Sequence, residues 1–264
     1  MSDVAQPAVV RLERQGAVAV LVVDRPKALN AINRQVLNEL SEHVYALEAD
    51  RDVRVVLLCG GGEKAFVAGA DIAEMAEMMG EESADFARFG AAVFAQLEAL
   101  PQPVIAVVQG FALGGGFELA LACDFILASE KAKFGLPETA LAVIPGFGGT
   151  QRLGRITGGN TARYWLLSGD MFSAEAAEKA GVVQQVLAPE ALMPAALALA
   201  QKIASRGPLA LAAAKRVAYQ GAALPLDQAV ELESEAFGQC FDTEDQKEGM
   251  AAFLARRPAV FLGK

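Results

Sequence analysis

The chain has 264 residues, 53% hydrophobic and 21% charged, which suits one large or two small folded domains and is too apolar for a disordered chain. Its 23 basic and 32 acidic side chains give a formal net charge of −9, which argues against non-specific nucleic-acid binding through overall charge. Three scattered cysteines and a single histidine supply no disulfide framework, no paired-cysteine or multi-histidine metal motif and no Ser–His–Asp triad.

The N-terminal MSDVAQPAVV lacks a charged segment followed by an apolar core, so no secretory leader is expected. No uninterrupted apolar run reaches the roughly 18 residues of a membrane span. With the cysteine usage, these features set the expectation of a cytoplasmic protein with neither a membrane nor a nucleic-acid partner.

Residues 9–12 and 17–23 read as two strands with a turn near Gln15 and Gly16, and Arg25-Pro26 stops the second. Asn33 is placed to cap a helix whose apolar positions Val36, Leu37, Leu40, Val44 and Leu47 follow a 3.6-residue period. His43 falls on that helix at a position expected to be solvated. Residues 53–58 form an apolar strand followed by Gly60, Gly61 and Gly62. This strand–helix–strand order predicts parallel strands covered by helices.

AFVAGADIAEM follows at 65–75. Gly69 and Asp71 suit a turn and a helix N-cap, or an exposed amide beside a ligand. Met75, Met78 and Met79 alternate with Glu74, Glu77, Glu81 and Glu82 in what reads as a mobile, partly exposed segment, its methionines suited to core filling or to an adaptable acyl-chain wall. Residues 83–100 return to helix.

The densest signal is PVIAVVQGFALGGGFELALACDFILA, residues 103–128. The run 104–108 is a buried strand, and 125–128 a further short one. Between them Gly114, Gly115 and Gly116 precede Glu118, the only charged side chain from Pro103 to Asp124. Glycine there lets backbone approach a ligand or a neighbouring element, and a helix starting at such a turn leaves free N–H groups that hold an oxyanion. An acid in so apolar a stretch is either hydrogen-bonded into the core or kept for chemistry. A second glycine turn, Gly146, Gly148 and Gly149, lies in AKFGLPETALAVIPGFGGTQRL, where Glu138 follows Pro137 as a helix first-turn residue or a second functional acid.

Ser173 starts a short helix that Gly181 ends. Residues 190–206, 208–219 and 225–241 are successive helices, and Thr243 with Gln246 makes a capping-box pattern for a last one. The alternating α/β pattern therefore forms a core over 1–200, the catalytic part if the chain is an enzyme, and 201–264 a helical region packing on the core or on a neighbouring subunit.

Glu118 and Glu138 offer general acid–base catalysis where no histidine is available. Burial beside a like charge raises at least one of their pKa values. Amides at separate glycine turns could polarise a carbonyl. Whether these groups meet is not fixed by their spacing.

From Arg25-Pro26-Lys27-Ala28-Leu29-Asn30 to Phe261, the chain resembles the enoyl-CoA hydratase/isomerase (crotonase) superfamily, its specific segments being AFVAGADIAEM, ALGGGFELALACD and FGLPE…IPGFGGTQRL. The resemblance implies a spiral of ββα units with a helical C-terminal oligomerisation region, assembled as a homotrimer or dimer of trimers. It implies an oxyanion hole from the amides of Ala70 and Gly115, with Glu118 and Glu138 as the hydratase acid–base pair. Glu118 would activate the water attacking C3 of a trans-2-enoyl-CoA, and Glu138 would protonate C2. Gly146 would position Glu138 or the water. Lys27, Ala28, Ala68, Asp71, Ile72, Phe253 and Arg256 are the further substrate-binding candidates. Ala73 stands where hydratases often carry a lysine near the CoA nucleotide, which makes Lys27 and Arg256 the candidate partners of its anionic groups. No metal or organic cofactor is implied, CoA entering as part of the substrate. The rivals on the same scaffold are an enoyl-CoA isomerase and a non-catalytic RNA- or protein-binding member.

Overall fold

The computed structural model describes residues 7–264; residues 1–6, within the stretch read for a leader, lie outside the described residues. A hairpin opens the chain: β1 (Val10–Gln15) pairs antiparallel with β2 (Val18–Val23). A 3-10 turn (Pro26–Ala28) leads to α1 (Arg34–Ala49), then β3 (Val55–Gly60) and β4 (Ala65–Val67). The single-turn α2 (Ile72–Met75) precedes the long α3 (Gly80–Ala99) and β5 (Val104–Val108). Then come β6 (Phe111–Leu113), α4 (Gly115–Leu121), β7 (Phe125–Ser129) and β8 (Lys133–Gly135). After a second 3-10 turn (Pro137–Leu141) follow α5 (Gly149–Thr157), α6 (Gly159–Ser168), β9 (Phe172–Ser173), α7 (Ala174–Lys179) and β10 (Gln185–Leu187). Four helices close the chain: α8 (Pro189–Ala204), α9 (Pro208–Gly221), α10 (Leu226–Phe241) and α11 (Glu244–Leu254).

The larger sheet runs β1-β2-β3-β5-β7-β10 and is parallel from β2 onward. Successive side chains point to opposite faces of a strand. Leu21, Leu58 and Ala106 therefore join the core beneath α1 and α3, while Val20, Leu57 and Ile105 pack against Leu192, Ala196 and Ala200 of α8. Both faces are covered, which is why these strands are unbroken apolar runs. The smaller sheet runs β4-β6-β8-β9, with β4, β6 and β8 parallel and β9 antiparallel. It carries α4, and with it the start of the site.

Several caps follow the sequence reading. Asn33 Oδ1 accepts from the Val36 amide at 3.0 Å, and Ser173 Oγ from that of Ala176 at 3.2 Å. The Thr243 box is half made. Thr243 Oγ1 accepts from the Gln246 amide at 3.1 Å, but the Gln246 side chain turns to the Met250 sulfur instead of reaching back. His43 is half-buried rather than solvated, with Nε2 3.3 Å from the Val10 carbonyl oxygen, because β1 lies beside α1. In the methionine segment, Met75 and Met78 pack on the core while Met79 is exposed.

In the tail, α8 belongs to the sheet layers, and the chain turns away only after Ala204. Helices α9 and α10 form a hairpin held down by Lys215, whose Nζ lies 2.9 Å from Asp124 Oδ2 and donates to the Gln102 carbonyl at 3.1 Å. The last residues fold back on α11: the buried Asp245 carboxylate accepts from the Leu262 and Gly263 amides at 2.7 and 2.9 Å.

Candidate active site

Two backbone seams build the site. In the first, the segment after the 3-10 turn zips along the segment after β4. The Ala68 amide donates to Leu29 O at 3.1 Å, the Ile32 amide to Gly69 O at 2.9 Å and the Asp71 amide to Ile32 O at 2.7 Å. The buried Asn30 amide locks this seam by donating to the carbonyls of Gly61, Ala65 and Phe66 at 2.9–3.0 Å. Ala28, Ala68, Ala70 and Asp71 are thereby gathered along one line. The Asp71 carboxylate caps α2 through the Ala73 amide and pairs with Arg25 at 3.0 Å, so it fixes the loop carrying Ala70. Ile72 and Lys27 are exposed beside it. Lys27 also borders a pocket of about 400 Å³ whose other side includes Gly62 and Lys64.

The second seam is the start of α4. Gly114, at φ +49°, turns the chain from β6 into the helix through backbone space that side chains rarely enter. Gly116 lies so close to β4 that a Cβ there would sit 1.9 Å from the Val67 carbonyl oxygen. This approach brings the seams together: a Cβ placed on Gly115 would lie 3.4 Å from Ala70 N. Among the described residues neither the Ala70 nor the Gly115 N–H donates to any group. The Ala70 amide thus lies against the Gly115 turn, with both N–H groups free for a ligand.

Glu118, one turn into α4, is 1% exposed. Its Oε1 accepts from the Phe147 amide at 2.8 Å and the Gly149 amide at 2.7 Å. Burial pushes its pKa up, while these amides and the nearby Arg152 charge favour the carboxylate. Glu138, at the start of the second 3-10 turn, is half-buried. Burial first, then the Glu118 charge, push its carboxyl from the ordinary 4.5 to about 7, against the pull of its own amide. Its Oε2 is buried with no hydrogen-bond partner among the described residues. A Cβ on Gly114 would lie 3.0 Å from Glu138 Oε1, so this acid closes over the same glycine turn.

The structure therefore unites Glu118, Glu138, Ala70 and Gly115. It places the Gly146 turn beside Glu118 rather than Glu138, because the chain from Phe147 to Gly149 wraps that carboxylate. It does not bring Phe253 and Arg256 to these groups within one chain: both are exposed on the end of α11, which packs against α10. Sequence reasoning missed Asn30, Arg25, Arg152 and the Phe147 amide. Asn30 carries a signal, since a polar side chain between two apolar strands needs partners, whereas a backbone donor carries none. Among the described residues no cluster of His, Cys, Asp and Glu could hold a metal ion, and no helix is long and apolar enough to cross a membrane.

Comparison with known proteins agrees with this geometry. The family model described as enoyl-CoA hydratase/isomerase matches residues 13–264. A crotonyl-CoA hydratase of Syntrophomonas wolfei is 46% identical over 96% of this chain and 97% of its own. A short-chain-enoyl-CoA hydratase of Clostridium acetobutylicum is 47% identical over 93% of this chain and 94% of its own. The crystal structure of an enoyl-CoA hydratase from Bacillus anthracis superposes with a TM-score of 0.95 at 38% identity, covering 97% of this chain and all of that one. The α/β core with its helical tail has the crotonase fold, and the chain belongs to the enoyl-CoA hydratase/isomerase family.

Proposed function

We propose that the chain is an enoyl-CoA hydratase, a hydro-lyase that adds water reversibly across the 2,3 double bond of a trans-2-enoyl-CoA to give a 3-hydroxyacyl-CoA. The observation that carries this reading is the pair of acids at one glycine turn, held in different environments. Burial raises the pKa of Glu118 as well, but two amide hydrogen bonds and the Arg152 charge oppose that rise and favour its carboxylate, which suits a base. Glu138 is held near pKa 7 with an unpartnered buried oxygen, which suits an acid.

In the hydration direction the thioester oxygen accepts from the Ala70 and Gly115 amides, which strengthen as it gains enolate charge. Glu118 takes a proton from water as its oxygen bonds to C3. Glu138 gives a proton to C2 and the thioester carbonyl re-forms. Dehydration reverses each step. Hydration leaves Glu118 protonated and Glu138 ionised, and transfer of that proton from Glu118 to Glu138 through solvent resets the pair, so the reaction invokes no resident cofactor, and CoA arrives with the substrate. Lys27 at the mouth of its pocket, joined there by Lys64, suits the anionic groups of CoA, with Ala28, Ala68 and Ile72 along the approach.

The tail supports assembly with further copies, as a homotrimer or dimer of trimers. Helix α10 exposes an apolar stripe, Leu226, Val230, Phe237 and Phe241, and Phe253 of α11 is 84% exposed. Assembly of this kind would also give Phe253 and Arg256 a route to a neighbouring subunit's substrate. Free thiols at Cys59, Cys123 and Cys240 suit a cytoplasmic setting.

Hydration of trans-2-enoyl-CoA thioesters of graded chain length tests the reading. Glu118→Gln and Glu138→Gln should each lower kcat by roughly 10²–10⁴-fold with KM little changed. Near-normal hydration by both variants, or preferential turnover of a 3-enoyl-CoA by the native chain, would overturn it.

A further inference from the structure

The Phe147 peptide is held at both ends. Its N–H donates to Glu118 Oε1 at 2.8 Å, and its carbonyl oxygen accepts from Arg152 Nη1 at 2.9 Å. The ring on the same residue is 4% exposed and stands edge-on to Phe86 (centroids 5.5 Å apart, 67° between planes) and to Phe94 (5.4 Å, 76°). Both partners belong to α3, and between them that helix carries Gly90. A Cβ at Gly90 would lie 2.4 Å from the Phe147 ring, so glycine here is the floor of the ring's seat. On its other side the ring reaches the Gly115 turn, where an added Cβ would meet it at 3.1 Å. Helix α3 grips the same peptide a second time, since Glu98 Oε1 and Oε2 lie 3.3 and 3.2 Å from the Arg152 guanidinium.

We propose that Phe147 is a positioning residue: its ring, seated on Gly90 of α3, sets the place of the amide that holds Glu118 and so the aim of that carboxylate at the water. The inference rests on Glu118 being the base of the proposed reaction. Short of proline, no substitution deletes a backbone donor, so the chain controls it through the side chain on the same residue. Phe147 is well suited to this, because it has one stiff ring, four aromatic or glycine surfaces around it and no polar atom that could settle elsewhere. Its action passes through Glu118, so disturbing the seat should change kcat far more than KM.

The test is a cycle of Gly90→Ala, Phe147→Leu and the double variant, assayed for hydration of crotonyl-CoA with folding checked by circular dichroism and thermal melting. Gly90→Ala should push the ring off its seat and lower kcat about 10–100-fold, the scale of a misplacement near 1 Å, with KM within about twofold of the native value. The double variant has a smaller side chain above the new methyl, and should regain most of the lost kcat. Native kcat in a folded Gly90→Ala protein, or losses from the two single variants that simply add in the double variant, overturns the proposal. Should Gly90→Ala not fold, Phe147→Ala reads the same link without crowding α3: a fall in kcat at preserved KM supports it, and native kcat overturns it. Glu118→Gln in the same assay separates the two claims. If it is inactive while Gly90→Ala is native-like, only the positioning role fails; if Glu118→Gln hydrates normally, the base assignment itself fails.

Discussion

The glycine turn around Glu118 and the helical tail after Ala204 are finished in opposite ways. At the turn, surfaces meet within one chain at distances that leave no room for a methyl group, as Gly90, Gly116 and Gly149 show. Along α10, by contrast, Leu226 is 79% and Phe237 66% exposed, on the stripe that would bury itself if the helix were a core element. The proposed reaction centre is thus built from contacts made within one chain. The apolar stripe on α10 stays uncovered within that chain, and it is the surface the proposed assembly would use.

The largest effect that would sharpen this contrast is on assembly. Phe237→Glu, or Leu226→Glu with it, should convert an assembled species into 27.6 kDa protomers by light scattering after size exclusion, because a charge would have to be buried in an apolar interface. A native protein that already runs as a monomer would break the contrast outright. Next in size is the latch between the regions. Lys215→Met leaves the half-buried Asp124 carboxylate without its cation, and should cost roughly 1–3 kcal/mol in denaturant unfolding. Pairing it with Asp124→Asn should recover part of that loss; single losses that simply add in the double variant would show that the ion pair does not latch the tail.

The smallest effect lies at the site. The Glu138 carboxyl titrates near 7 in the folded chain against an ordinary 4.5, so the folded state binds more protons across that window. Stability from this group is therefore full below about pH 4.5 and declines as pH rises through 7. Glu138→Gln removes the titration, so its melting temperature should gain on the native protein from pH 4.5 to pH 8. A gap that stays constant with pH would mean that Glu138 is not held as a neutral acid.

The parts of the fold visible in the sequence are those with local causes. β2, β3 and β5 are continuous apolar runs because both faces of their sheet are covered, and α1 shows its buried stripe in its period. The smaller sheet was not legible, since β4, β6, β8 and β9 are two or three residues long and exist only through pairing with distant chain. Gly158 at φ +80° divides α5 from α6. At the site, Glu118 and Glu138 stood out as acids near glycine turns, but their juxtaposition depends on β8 pairing with β6, which seats Glu138 against Gly114. The Phe147–Gly90 contact left no trace, because it joins α3 to a loop on the far side of α4 in chain order and any aromatic or glycine would look ordinary there.

The order of strands in the larger sheet, β1-β2-β3-β5-β7-β10, also follows their order along the chain. A chain made from its N-terminus can therefore add each new strand to the edge just laid down, without waiting for a later segment to slip between earlier ones. Glu118, Glu138, Ala70 and Gly115 have all been synthesised once Gly149 has emerged, with α8 and the whole tail still to come. A nascent chain thus carries every residue of the proposed reaction centre before it carries the exposed apolar stripe of α10.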